Sequence, residues 1–214
     1  MKLKLPGLVT FIGGLLVAAV AIIAGVISGI QIVMALISYL GGGSPTVAGA
    51  MGYVEFLAAA ILLVGEGILF LPHGIKGLVA SLGAAEEDKL VKHSMGFFMV
   101  LAELSIATVV LYLIFGLISG GFYLDVKTLI FGVIALVLII AGRMLAKSAS
   151  TKLVGVILMM IVPAVHLVQL FVVGVNFANV WDILNLVATA AMVGGTVWLL
   201  VYVLLNTLKG SKAE

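Results

Sequence analysis

Four ionisable residues stand inside long apolar stretches: Glu55 and Glu66 between Val47 and Leu71, Glu103 between Lys92 and Ser119, and His166 between Leu153 and Val175. Gln31 and Gln169 are their uncharged companions. A charged group at the centre of a spanning helix costs roughly 2.5 kcal/mol or more, so such residues are expected to face other helices and often have a role. A carboxyl out of water holds its proton more tightly, and histidine titrates near neutrality. Together these are the parts of a proton relay or of a site for a small polar solute.

Spacing sharpens that expectation. Glu55 and Glu66 are separated by about three helical turns and share a helix face, as do His166 and Gln169. Counted from the inner end of each stretch at about 1.5 Å per residue, Glu66 lies near 9 Å, Glu103 near 16 Å, His166 near 21 Å and Glu55 near 25 Å. The four form a rough ladder through a membrane, with Glu55 close to the outer interface. The blander alternative is that each carboxyl is neutral and hydrogen-bonded to a neighbouring helix, and it is the favoured one. Gly65 and Gly67 flank Glu66, which lets another helix come near it, and Pro163 precedes His166 by less than one turn. A proline inside a helix frees a carbonyl one turn earlier and often kinks the segment.

His73 and His93 suggest different chemistry. They stand at the inner ends of the second and third apolar stretches, which run antiparallel, so the imidazoles are brought near one another. Two such histidines are the ligand pair of a b-type haem or of a metal ion. The favoured reading is nonetheless two interfacial histidines and no cofactor. The chain has no cysteine, which removes disulfides, thiolate nucleophiles and cysteine-ligated zinc or iron–sulfur centres. No nucleophile elbow, zinc-protease His-Glu-x-x-His run or phosphate-binding Gly-rich loop occurs. An enzyme acting alone is not expected.

The elements that must position these residues are membrane helices. Hydrophobic residues make up 64% of the 214 and charged residues 9%, against about half and about a quarter in soluble domains. Apolar stretches at residues 8–39, 47–71, 92–119, 126–146, 153–175 and 183–208 each reach the roughly 20 residues that a spanning helix needs. The fold class is therefore all-α, a single domain over residues 1–214 with six transmembrane helices. The second, third and fifth are expected to carry polar groups inward. Ile75, Leu78, Val79 and Leu82 recur at helical spacing, which fits either a short interfacial helix between spans two and three or a loop packing on its neighbours. The first stretch is too long for a perpendicular crossing, and Gly13-Gly14 is its expected weak point. It is also too long for a secretory signal, so it is expected to remain as a helix.

Orientation follows from charge. Lys2, Lys4, Lys76, Lys89, Lys92, Arg143, Lys147, Lys152, Lys209 and Lys212 fall on one side of the six-span arrangement, and Lys127 on the other. The positive-inside rule makes the first side, with both termini, cytoplasmic in a cell membrane. Tyr39, Tyr53, Phe122, Tyr123 and Trp181 lie at the opposite span ends as an aromatic belt. The net charge of +2 is small and forms no basic stripe with aromatics, which argues against nucleic acid.

The favoured function is a non-catalytic membrane subunit of a larger respiratory or transport complex, with Glu66, Glu103, His166, Gln169 and Glu55 as the candidates for a proton path. The alternatives are a small-solute or ion transporter and a haem-binding redox subunit. The partners expected are the lipid bilayer and other membrane subunits. Small residues spaced by four, Ala21/Gly25/Gly29 and the pairs Ala190/Gly194 and Ala191/Gly195, are expected to bring helices of this chain together.

Overall fold

A computed structural model describes residues 3–83, 86–120, 124–173 and 180–210. Among them are six long helices: α1 (Lys4–Gly41), α2 (Val47–Leu82), α3 (Glu87–Ile118), α4 (Val126–Leu145), α5 (Lys152–Val173) and α6 (Val180–Gly210). All six are long and apolar enough to cross a membrane, each with a window of mean hydropathy of 1.9 or more. Helices are the expected solution because a backbone in hydrocarbon must satisfy its own hydrogen bonds locally. The chain is an all-α, multi-pass membrane bundle.

Each helix packs against its neighbours in sequence, and α1 closes the ring onto α6. α3 also reaches α1, α5 and α6, so it stands furthest toward the centre. Phe11, Phe70, Phe97, Phe98 and Met95 are almost completely buried and join α1, α2 and α3 in one core. At one end, Glu87 accepts a hydrogen bond from Asn206 Nδ2 at 2.5 Å, and Lys152 Nζ lies 3.9 Å from Asp88 Oδ1. That end therefore gathers the starts of α3 and α5 with the end of α6. The start of α1 joins them, since Gly7 sits against Ser81 near the end of α2.

The second helix differs from the sequence expectation. Residues 74–82 are not a separate interfacial helix; α2 runs without interruption through Pro72 to Leu82. The periodicity of Ile75, Leu78, Val79 and Leu82 is helical, but it belongs to a longer element. Pro72 removes one backbone donor without stopping the helix, and packing holds the continuation: Gly74 meets Leu15 and Gly77 meets Phe11, both on α1. The extension also moves Glu66 to mid-helix, about 28 Å along α2 from Val47.

α1 is likewise unbroken through Gly13-Gly14, 38 residues long and so about 57 Å. None of its buried residues lies beyond Gly25. Its second half presents Ile30, Met34 and Ile37, each more than half exposed, to the surroundings of the bundle. The helix is continuous over its full length, with no interruption at the glycine pair. At the far end Tyr39 and Tyr53 stack with ring centroids 5.4 Å apart, and the Tyr39 hydroxyl accepts from the Thr46 amide at 2.9 Å. Phe122, Tyr123, Lys2 and Lys212 lie outside the described residues, as do the last two positions of the fifth predicted span.

Of the small-residue pairs, Ala191 and Gly195 face α1, at Gly13 and Thr10. Ala190 and Gly194 are exposed. One register of the spacing is used inside the chain and the other is not.

Candidate functional site

A cavity of about 410 Å³ lies inside the ring. Its volume falls within the range of small-molecule sites. Glu66 of α2, His166 and Gln169 of α5, and Met192 of α6 line its inner part. The structure thus brings three of the five proton-path or solute candidates into one space. Among the described residues neither Glu66 nor His166 has a hydrogen-bond or ion-pair partner, whereas Gln169 Nε2 donates to Ser105 Oγ of α3 at 3.1 Å. His166 rests edge-on against Phe98, centroid to centroid 5.8 Å.

Close helix approach seats Glu66. A Cβ at Gly67 would fall 2.5 Å from the carbonyl oxygen of Ala18, so α1 and α2 meet there only because residue 67 has no side chain. With its neighbour pressed against α1, Glu66 is turned toward the cavity. Gly65 serves no such contact, since a Cβ there would meet nothing within 4 Å.

Toward the end of the bundle opposite the termini of α1 and α6, the lining passes to Tyr112, Asp125, Thr128 and Asn185. Asp125 precedes α4 and caps it, accepting from the Thr128 hydroxyl at 2.7 Å and the Thr128 amide at 3.1 Å. The hydroxyl first, and then the amide, hold this carboxyl below the usual carboxylate range. A smaller recess lined by Glu55, Gly116, Tyr112 and Asp125 adjoins the cavity and shares its last two residues. Glu55 therefore stands at the mouth and Glu66 at depth. Among the described residues the cavity lining contains two carboxyls, one imidazole and several hydroxyl and amide groups, but no lysine or arginine.

Glu103 is the correction. It is exposed on the outer surface of α3, not directed inward, and takes no part in the cavity. The inward polar stripe of α3 is Ser105, Thr108 and Tyr112 instead. Glu103 is about half a turn around the helix from that stripe. The stripe was legible in principle, being spaced at i, i+3 and i+7, as was Asn185/Thr189 at i, i+4. Hydroxyls and amides draw less notice than ionisable groups in an apolar chain. Gln31 is also exposed, on α1.

His73 and His93 do come together, with ring centroids 6.1 Å apart and planes tilted by 57°. The Nδ1 atom of each is buried without a hydrogen-bond partner. His73 packs over Gly96 and edge-on to Phe97, centroids 6.2 Å apart. A macrocycle between the imidazoles would have to displace these neighbours. Among the described residues no third histidine, cysteine or carboxylate joins the pair to complete a metal-binding group.

No protein-family model matches this chain, and neither does any curated protein or solved structure. Function is therefore argued from the geometry of the cavity itself.

Proposed function

We propose that this membrane bundle binds and moves a small polar solute, with the intramembrane cavity as the binding site and Glu66 as its fixed acid. The observation that carries this reading is the unpartnered Glu66 lining a cavity of about 410 Å³ beside His166. A carboxyl with no cation among the described residues that line its cavity is suited to a proton or to a cationic or hydrogen-bond-donating solute. Gln169, Ser105, Thr108 and Tyr112 supply neutral donors and acceptors around it. Among described residues, the basic groups other than Lys127 gather at the end away from the mouth, which by the positive-inside rule supports a mouth outside the cell and termini in the cytoplasm.

The chain has no native cysteine, so single cysteines report cleanly. Thr108→Cys is expected to react with a hydrophilic, membrane-impermeant thiol reagent, and Val110→Cys on the exposed face is not. Thermal-shift screening of small amines, alkali ions and polyols should then find a stabilising solute whose effect is lost in Glu66→Gln. An unreactive Thr108→Cys would mean that the cavity is closed to water, and the reading would fail.

A second reading, a non-catalytic subunit of a larger membrane complex, is favoured by Glu103. A carboxyl on the exposed apolar surface of a spanning helix, together with Val110, Ile114 and Leu117, suits a partner helix that offers a hydrogen-bond donor. Mild detergent solubilisation of the native membrane should reveal a co-migrating chain that is lost in Glu103→Leu. A monodisperse protein with no companion at native expression levels would remove this reading.

A further inference from the structure

A different site lies at the end of the bundle that gathers the start of α1 and the end of α6. There a cleft of about 200 Å³ is lined by Lys92 of α3, Arg143 near the end of α4, Lys147 in the α4–α5 turn and Lys152 at the start of α5. Among the described residues Asp88 is the sole acidic group in the lining, and it is engaged by Lys152 at 3.9 Å. Four cationic side chains from three helices and a turn thus converge on one small space, leaving a positive excess of three charges in its lining. The floor is apolar: Val156, Met159 and Val203 are almost fully buried.

The convergence is built into the backbone. A Cβ at Gly155 would fall 2.5 Å from both the Gly142 carbonyl oxygen and the Ala146 amide nitrogen, so the end of α4 and the start of α5 touch at main-chain distance. The intervening turn is closed by Lys147 N donating to Met144 O at 3.3 Å and by Thr151 Oγ1 donating to Leu145 O at 2.6 Å. Arg143, Lys147 and Lys152 are therefore held at one mouth by the fold, and not merely scattered over a basic surface. Lys76 belongs to the same end of the bundle but does not line the cleft.

We propose that this cleft binds the phosphate headgroup of an anionic phospholipid, with the lipid's acyl chains running down the apolar flank of the bundle. Charge selects an anion. Position selects a lipid: the cleft opens where apolar spans end and a bilayer presents its headgroups, and basic pockets between spanning helices are suited to them. Arg143 contributes a planar fork that fits phosphate oxygens in pairs, and the lysines add point charge around it.

The test uses the full chain purified in mild detergent, with phosphatidylglycerol, phosphatidylcholine and inorganic phosphate as probes, read by native mass spectrometry and by thermal unfolding. Retention of phosphatidylglycerol over phosphatidylcholine is expected, with a rise in Tm that inorganic phosphate does not reproduce. Arg143→Gln combined with Lys147→Gln should weaken phosphatidylglycerol retention by tenfold or more, while Lys76→Gln leaves it unchanged. Equal loss in Lys76→Gln would show a diffuse surface effect and overturn the proposal, as would equal retention of phosphatidylcholine. Full stabilisation by inorganic phosphate would overturn the lipid assignment in favour of a free anion. Should the paired variant not fold, Arg143→Lys serves in its place, with a reduced preference for phosphatidylglycerol expected and an unchanged preference counting against the proposal.

Discussion

Gln169 Nε2 of α5 donates to Ser105 Oγ of α3 at 3.1 Å, and Ser105 in turn donates to the Leu101 carbonyl at 2.8 Å. Two walls of the cavity are thereby tied together. Gln169→Leu and Ser105→Ala are each expected to cost about 0.5–1.5 kcal/mol. Their double-mutant cycle should show a coupling of about 0.6 kcal/mol, as for other hydrogen bonds between membrane helices. Unfolding in mixed micelles measures both quantities, and additive effects would show that the bond contributes nothing.

Gly67 and Gly65 should respond in opposite ways. Gly67→Val forces α1 away from α2 at Ala18 and Ile22, at a cost of about 1–3 kcal/mol. Gly65→Ala meets open space and is expected to be neutral or slightly stabilising through helix propensity. Thermal unfolding of the two variants side by side checks the contrast.

Asp125 gives the bundle an acid-sensitive cap. Its carboxyl is held below the usual range by Thr128, so its folded pKa lies below the unfolded value of about 3.9. The cap's stabilisation is present above the unfolded value and is lost as pH falls through the folded one. Asp125→Ala should cost about 1 kcal/mol at neutral pH, while Asp125→Asn keeps most of the cap and removes its pH dependence. Unfolding measured from pH 6 to pH 2 distinguishes the three proteins.

Glu103 stands on the exposed surface of α3, where hydrocarbon offers it no partner. Glu103→Leu is expected to raise the stability of the isolated chain in a bilayer by about 1 kcal/mol or more. An equal-sized loss would mean that the side chain is satisfied in some way by its own bundle.

Much of the architecture can be read from residue order alone. Stretches of apolar residues long enough to span a bilayer must become helices, because hydrocarbon leaves each backbone amide and carbonyl no partner outside its own segment. The asymmetric placement of lysine and arginine distinguishes the two ends, and the antiparallel course of α2 and α3 brings His73 to His93. The second helix continues past the apolar stretch that ends at Leu71 because α1 packs along it on both sides of Pro72 in sequence, at Gly67 and at Gly74 and Gly77.

Glu66 and Glu103 mark where sequence stops and tertiary structure begins. Both are carboxyls in apolar stretches, yet one lines the cavity and the other lies on the exposed surface. In a soluble helix the polar face would reveal the direction of each. In a membrane helix the lipid side is as apolar as the packed side, so hydrophobic periodicity does not report which way a residue points. Residue order by itself determined that six helices form, roughly where they run and which end carries the positive charge. Only their packing, through close approaches such as Gly67 on Ala18, decided the rotation of each helix and hence which polar groups share a cavity.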